Sequence, residues 1–189
     1  MNRPDHRARA IEAAADSYAV ATSDSAQPDL YGPLTFLLAQ VRQALGMDIA
    51  FVSRFSDSER VFEVVSAEGE LTDIAPGVSD PLLETYCHRV AHGRLPAVIQ
   101  DTAQSAEASS LAITQRLDIR AYLSAPVMLA NGRVFGTVCC ISHQPRPDLV
   151  EADAKALQAV AQAVAASIDR KGRVRFASWT AQQPEGSRS

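Results

Sequence analysis

The sequence predicts an α+β fold: a central antiparallel β-sheet of about five to six strands, flanked by helices on both faces. Three features predict it, namely a long apolar hairpin, a second hairpin and amphipathic helices around them. In the long hairpin, residues 119–143, two nearly continuous apolar runs flank Ala130-Asn131-Gly132. Asn-Gly between apolar runs is the strongest short hairpin signal in a sequence. Because both arms are apolar on both sides, we expect this hairpin in the middle of the sheet.

The second hairpin comes earlier in the chain. Residues 48–55 and 61–67 have strand-like composition, and residues 56–60 form a polar turn between them. Alternate residues of a strand share a face, so Phe51 and Ser53 are predicted to point to the same side of the sheet.

Amphipathic helices precede and follow the hairpins. Apolar residues recur at spacings of four, three and four from Leu34 to Leu45, and Gly46 follows as a favourable C-terminal residue. Residues 149–170 form the longest predicted helix, with acidic residues in its first turns and basic residues at its end, as suits the helix dipole. Antiparallel hairpins with such helices are typical of an α+β sandwich.

The remaining segments are predicted from local signals. Asp80 and Pro81 are interpreted as the N-cap and first residue of a helix that runs to about residue 91, with Leu83 on its apolar face, and stops at Gly93. The other predictions are a helix over residues 5–21, loops over 22–33 and 68–79, a short edge strand over 96–101, and one or two short helices over 102–118.

Composition excludes several classes of function. The chain has 189 residues, 47% of them hydrophobic, which suffices for one domain with a real core. Its net charge is −4 and it has no basic stripe, so we expect no nucleic-acid partner. No apolar run approaches the roughly 20 residues that span a bilayer, and the N-terminus lacks an apolar signal-peptide core. We therefore expect a cytoplasmic protein without a membrane partner.

The three cysteines, Cys87, Cys139 and Cys140, do not form a recognisable framework. Their odd number and the absence of a secretion signal argue against structural disulfides, and without a C-x-x-C motif neither a zinc ribbon nor a thioredoxin motif is predicted. Cys139 and Cys140 are adjacent on a predicted strand, so we expect them on opposite faces.

Element order and sequence together resemble the GAF domain family. The matching stretches are residues 46–55, 84–101 and 117–142, and the most typical of them contains Tyr122, Pro126, an Asn-Gly turn and Gly136-Thr137-Val138-Cys139. Asp118 stands where the family often has glycine. The resemblance divides the chain into an N-terminal helix and linker (1–29), a GAF domain (30–172) and a polar C-terminal tail (173–189).

The resemblance implies a small-molecule sensor or regulatory module of bacterial signal transduction, without catalytic residues. It also implies a homodimer that acts through its terminal helices on an output domain or partner protein. The alanines of the last helix, Ala154, Ala161 and Ala165, are expected to permit close approach of a second chain. A ligand-free dimerisation module is the first alternative, and the cofactor, if any, is unknown.

In this fold a ligand is expected on one face of the sheet, beneath the middle helix. Such a site needs a concave apolar pocket with a few polar groups. The alternative is that the same residues form ordinary core. The candidate ligand-binding residues are Phe51, Ser53, Tyr86, Cys87, Val90, Asp101, Tyr122, Ser124, Cys139 and Ile141.

Chemistry at the cysteines and histidines is the second alternative. In bilin-binding relatives the attachment cysteine would fall near residues 109–110, so Cys87 is not expected to carry a bilin. Catalytic relatives that reduce methionine sulfoxide place their cysteines elsewhere, and no residue near the thiols is predicted to lower their pKa. His88 and His92 have a metal-compatible spacing but no third ligand, so no metal site is predicted. A thiol-based redox sensor, or an enzyme similar to the methionine-sulfoxide reductases, that uses Cys87 or Cys139 remains open.

Overall fold

The computed structural model describes residues 3–23, 30–69 and 73–170. The end of the predicted GAF domain at residues 171–172 and the predicted tail over residues 173–189 lie outside these ranges, as do residues 24–29 and 70–72 of the two predicted loops.

A six-stranded antiparallel sheet forms the centre of the molecule, so the predicted fold class is confirmed. The strand order is β3-β2-β1-β6-β5-β4, which places the long hairpin β5–β6 beside β1 in the interior and leaves β3 and β4 at the edges. Cys139 of β6 lies opposite both Phe51 of β1 and Ser124 of β5. The strands are β1 (Ile49–Phe55), β2 (Glu59–Ala67), β3 (Ser79–Pro81), β4 (Val98–Ile99), β5 (Ala121–Met128) and β6 (Val134–Ser142).

The helices α2 (Tyr31–Leu45) and α6 (Glu151–Arg170) cover one face of the sheet, and α1 (Arg3–Ala21) lies on these two helices. The predicted apolar stripes of α2 and α6 are buried in the core between helices and sheet. The α1 helix packs against both α2 and α6, so it contributes to the same core as the rest of the domain. Within the described residues, no helix combines the length and the apolarity needed to cross a bilayer.

Short helices cover the opposite face. They are α3 (Tyr86–Ala91), α4 (Ala106–Ser110) and α5 (Ala112–Arg116), accompanied by 3₁₀ turns at Leu82–Glu84 and Thr102–Gln104. The two predicted faces of the strands are confirmed by the packing: Cys140 belongs to the core under the long helices, and Cys139 to the core under the short ones.

The predicted helix start at Asp80 and Pro81 is wrong. Ser79–Pro81 forms an edge strand paired with β2, where a proline is tolerated because an edge has no further ladder to join. The helix begins later, at Tyr86, and the hydroxyl of Thr85 accepts its first capping hydrogen bond from the backbone N–H of His88 at 3.3 Å. Leu83, predicted on its apolar face, is 68% exposed.

Two further predictions need correction. The loop predicted over residues 22–33 ends early, because α2 begins at Tyr31 and takes Pro33 into its first turn, where a missing N–H costs no hydrogen bond. The alanines predicted to receive a second chain, Ala154, Ala161 and Ala165, are buried in the chain's own core. A contact between two copies through that face would require unfolding of this helical layer.

Candidate thiol and ligand site

The sheet face under α3 gathers most of the predicted site residues. Strand alternation brings together Phe51 and Ser53 from β1, Tyr122 and Ser124 from β5, and Cys139 and Ile141 from β6, while α3 lays Tyr86 and Cys87 over them. All of these side chains are buried.

The centre of this face contains a small cavity. Its lining includes Phe51, Tyr86, Cys87, Tyr122 and Ile141 from the predicted set. The volume open to the centre of a water-sized sphere is about 10 Å³, room for no more than about one water molecule. These five predicted residues thus surround a common space, whereas Ser53, Ser124 and Cys139 of the same sheet face do not line it. In this arrangement the lining side chains fill most of the space.

Two predicted residues lie away from this cavity. Val90 is partly exposed and packs at the margin of the same core. Asp101 is not part of the pocket: it caps the turn Thr102–Gln104, accepting from the N–H of Ala103 at 3.1 Å, and pairs with Arg120 at 3.3 Å. It lines an open groove of about 450 Å³ beside the edge strand β4. The two sites are separated because Asp101 follows β4, at the end of the sheet order, rather than an interior strand.

Tyr86 ties the short helices to one another. Its hydroxyl lies 3.1 Å from the carbonyl oxygen of Ala108 and 2.6 Å from the hydroxyl of Thr114. Its ring packs against that of Tyr122, with ring centroids 4.8 Å apart. The aromatic rings expected to surround a ligand are therefore present, but in this structure the rings of Tyr86 and Tyr122 pack against each other.

The most unusual residue of the site is Arg60, which the sequence predicts in the polar turn over residues 56–60 and which the structure places in β2. It is 1% exposed and lines the cavity, and its guanidinium carbon lies 3.5 Å from the ring centroid of Phe62. One amino group binds the carboxylate of Asp80, which also binds Arg116. Its Nε and Nη1 atoms are buried and have no hydrogen-bond partner among the described residues. The even spacing of Arg60 and Phe62 on one strand was the available signal for this inward orientation.

Two thiols meet beside the cavity. The sulfur atoms of Cys87 on α3 and Cys139 on β6 lie 3.6 Å apart. The hydroxyl of Tyr122 lies 3.3 Å from the first sulfur and 3.0 Å from the second. All three cysteines are free thiols.

Hydroxyl groups continue this polar cluster on the side of the sheet. The hydroxyl of Ser124 lies 3.4 Å from the sulfur of Cys139. The Cys139 thiol donates to the hydroxyl of Thr137 at 3.0 Å, and Thr137 in turn lies 2.9 Å from the hydroxyl of Ser53. The buried sulfur of Cys139 thus has polar neighbours on several sides.

The electrostatics favour one thiolate in the pair. Burial opposes ionisation of Cys87, but the hydrogen bond with Cys139 and the positive charge of Arg60 outweigh it and lower the pKa of Cys87 to about 5. Burial and the adjacent Cys87 raise the pKa of Cys139 well above its ordinary value. The prediction that no nearby group lowers a thiol pKa is therefore wrong, because the charge responsible comes from β2, distant in sequence. Cys140, on the opposite face, has its pKa raised to about 12 by burial.

The histidines of α3 pack against each other. The ring centroids of His88 and His92 lie 4.1 Å apart, and Nδ1 of His92 lies 2.8 Å from the carbonyl oxygen of His88. Burial and the neighbouring positive groups, His92 first, lower the pKa of His88. Among the described residues, no three His, Cys, Asp or Glu side chains are grouped in a way that could hold a metal ion.

Comparison with known proteins decides the family. The family model for the GAF domain matches residues 34–168. The chain belongs to the GAF domain family. The match covers both hairpins, the short helices and most of α6, so the resemblance seen in the sequence is confirmed.

Solved structures with the same fold have diverse descriptions. A protein described as a GAF sensor, from Burkholderia vietnamiensis, has a TM-score of 0.68 and 17% identity over 88% of this chain and 98% of its own. Free methionine-R-sulfoxide reductase from Neisseria meningitidis, solved with its substrate, has a TM-score of 0.69 and 14% identity over 93% and 95%. The phycocyanobilin-bound GAF domain of a cyanobacterial phytochrome has a TM-score of 0.63 and 17% identity over 90% and 96%. At these identities the likeness shows the GAF fold alone. No curated protein matches the sequence.

Proposed function

We propose that this GAF domain is a non-catalytic sensory or regulatory module of bacterial signalling. It binds a small molecule with an anionic, acceptor-rich group, such as a carboxylate or phosphate, beneath α3. Binding of this molecule changes, through α1 and α6, the activity of an output domain or partner protein in the cytoplasm. Arg60 carries the proposal, because two of its buried N–H groups have no acceptor among the described residues.

The energetic argument concerns the unused donors. A buried donor without a partner costs about 1–3 kcal/mol, and more when it is charged. Asp80 satisfies only one side of the guanidinium of Arg60. A ligand with an anionic group in the cavity would replace the missing acceptors and form charge-assisted hydrogen bonds, which are stronger than neutral ones.

Ligand entry requires the covering layer to move, because the cavity of about 10 Å³ is far smaller than the roughly 300–1,000 Å³ of typical ligand pockets. The cover consists of three helices of 6, 5 and 5 residues. Helices this short have little stability of their own. We therefore expect the ligand to favour an opened arrangement of α3 to α5, which it can do only by binding that arrangement more tightly.

Transmission would cross the sheet to the long helices. In β5 and β6, alternate residues face the proposed ligand site, and the residues between them face the core under α6. The α1 helix is fastened to α6 at both ends: Arg7 binds Asp153 at 2.6 Å, and the hydroxyls of Tyr18 and Ser167 lie 2.9 Å apart. A homodimer is part of the proposal, and with the alanine face buried its contacts would use exposed apolar side chains of α1 and α2, such as Val20 and Phe36.

The test is a thermal-shift screen of carboxylate and phosphate metabolites, with native mass spectrometry of each hit. Arg60→Met is compared with Arg116→Gln, which removes the other arginine on Asp80 but does not line the cavity. At 100 times its Kd a ligand stabilises by about 2.7 kcal/mol, which corresponds to roughly 5–10 °C for a domain of this size. We expect this shift in the wild type and in Arg116→Gln and its loss in Arg60→Met. Equal shifts in all three proteins would contradict the role of Arg60.

A ligand-free dimerisation module is the second candidate, favoured by the near-complete filling of the cavity. It predicts a dimer in analytical ultracentrifugation with no stabilisation by any compound of the screen. A monomer at micromolar concentration would argue against the dimer in either proposal.

A further inference from the structure

We propose that Cys87 and Cys139 form a peroxide-oxidisable dithiol whose disulfide fastens α3 to the centre of the sheet. The two sulfur atoms are already in contact at 3.6 Å, although the residues lie on different elements and 52 positions apart. This proposal is independent of ligand binding at Arg60: a domain that binds no metabolite could still respond to oxidation.

The surroundings of the two sulfur atoms assign Cys87 as the nucleophile and Cys139 as the resolving thiol. Arg60 supplies positive charge near Cys87 and favours its thiolate, which is the nucleophilic form of cysteine. Cys139 stays protonated and in contact with it, in the position of a resolving thiol. The hydroxyl of Tyr122 contacts both sulfur atoms.

The reaction balances with hydrogen peroxide as the oxidant. The Cys87 thiolate attacks one peroxide oxygen, an S–O bond forms, the O–O bond breaks, and the departing hydroxide is protonated to water. The sulfur of Cys139 then attacks the sulfenic acid of Cys87: an S–S bond forms, the S–O bond breaks, and the second water leaves with the thiol proton. Two thiols are oxidised to one disulfide, and one hydrogen peroxide is reduced to two waters.

Access limits the oxidant to a very small molecule. Cys87 is 3% exposed and lines the cavity, whereas Cys139 is fully buried. Hydrogen peroxide is only one oxygen atom larger than water, so a slight local opening of α3 suffices for it, while bulky alkylating reagents need a larger one. The pair is therefore expected to react with peroxide while the folded protein resists a maleimide-polyethylene glycol reagent.

The test uses the reduced, purified full chain treated with hydrogen peroxide and quenched with an alkylating agent under denaturing conditions. Before the quench we expect an intact mass lower by two hydrogens. After it we expect a single alkyl group, on Cys140, and a cross-linked peptide joining Cys87 to Cys139. Cys140→Ser is the matched control, because this buried cysteine lies in the opposite core, and it should form the same cross-link. Cys87→Ala and Cys139→Ala should lose it.

The wild-type peptide map alone is decisive if a variant fails to fold. Sulfinic acid at Cys87 without a cross-link, a disulfide that includes Cys140, a disulfide between two chains, or no oxidation at peroxide concentrations that oxidise an exposed peptide thiol would each overturn the proposal. Hydrogen exchange gives a second readout: in the oxidised wild type the amides of α3 should exchange more slowly than in the reduced protein, and unchanged exchange would show that α3 is not fastened.

Discussion

Gly136, the first residue of the Gly-Thr-Val-Cys motif on β6, lies where a side chain would collide with the backbone of the neighbouring interior strand β1. It pairs with Arg54 of β1. A Cβ atom built on Gly136 would lie 1.8 Å from the carbonyl oxygen of Ser53 and 2.9 Å from the Cα atom of Arg54. Both neighbours are backbone atoms, so no side-chain rotation can relieve the overlap. We predict that Gly136→Ala strongly destabilises the domain.

The magnitude follows from the distance. The overlap with the Ser53 oxygen must open by about 1.6 Å to reach ordinary contact at 3.4 Å. Overpacking in a core costs about 1–3 kcal/mol, and parting the strands weakens one or two ladder hydrogen bonds at about 1 kcal/mol each. We expect a loss of about 2–5 kcal/mol, or roughly 4–20 °C in Tm for a chain of this length.

Gly32 offers the matched control for the same chemical change. It lies in the first turn of α2, and a Cβ added there meets no atom within 4 Å. Gly32→Ala should therefore be neutral or stabilising by about 0.5 kcal/mol, since alanine is the better helix former. The assay is thermal and urea unfolding of both variants. A Gly136→Ala protein that unfolds within 2 °C of the wild type would refute the reasoning, because β1 and β6 could then not be packed as described.

Two further predictions concern the charged groups. Asp80→Asn should cost about 3–5 kcal/mol in urea unfolding, because it removes the one carboxylate that binds the buried guanidinium of Arg60 among the described residues. Arg116→Gln, at a side chain 42% exposed, should cost no more than about 1 kcal/mol, and equal losses would contradict this assignment. Hydrogen bonds from Arg146, and less strongly from Arg7, outweigh burial and lower the pKa of Asp148 in the folded protein. Ionised Asp148 therefore contributes to the free energy of unfolding above the pKa of the unfolded state, near 4, and this contribution is lost as the pH falls below that value. Asp148→Asn should lower Tm at pH 7 and progressively less below pH 4, as measured by thermal unfolding across this range; an equal loss of Tm at both ends of the range would contradict the assignment.

Much of the fold was predictable because its signals are local and periodic. The Asn-Gly turn and the apolar arms around it identified β5 and β6, and the spacing of Leu34 and Leu45 identified α2, whose end at Gly46 is confirmed. The prediction at Asp80 was wrong because an aspartate before a proline can serve two structural roles. An aspartate before a proline suits a helix N-cap, but here its carboxylate binds two arginines from other parts of the chain, and its backbone pairs with β2.

The candidate site was predictable only in part, because strand alternation is a local signal and the position of a strand in the sheet is not. Alternation along strands assigns Phe51, Tyr122 and Cys139 to one face, and packing confirms that they share a core. The sequence also predicts Asp101 at this site, yet it follows β4, an edge strand, and lies beside an open groove.

By itself, the sequence determined the GAF fold, the two faces of its sheet and the separation of Cys139 from Cys140, because hydrophobic periodicity and turn chemistry act over a few residues. Only the tertiary structure brought Cys87 to 3.6 Å from Cys139 and placed the charge of Arg60 beside them. These contacts join residues dozens of positions apart, and their distances depend on how strands register and helices settle on the sheet. The electrostatics of the thiol pair therefore belong to the assembled core, where burial and a single nearby charge act on the same atoms.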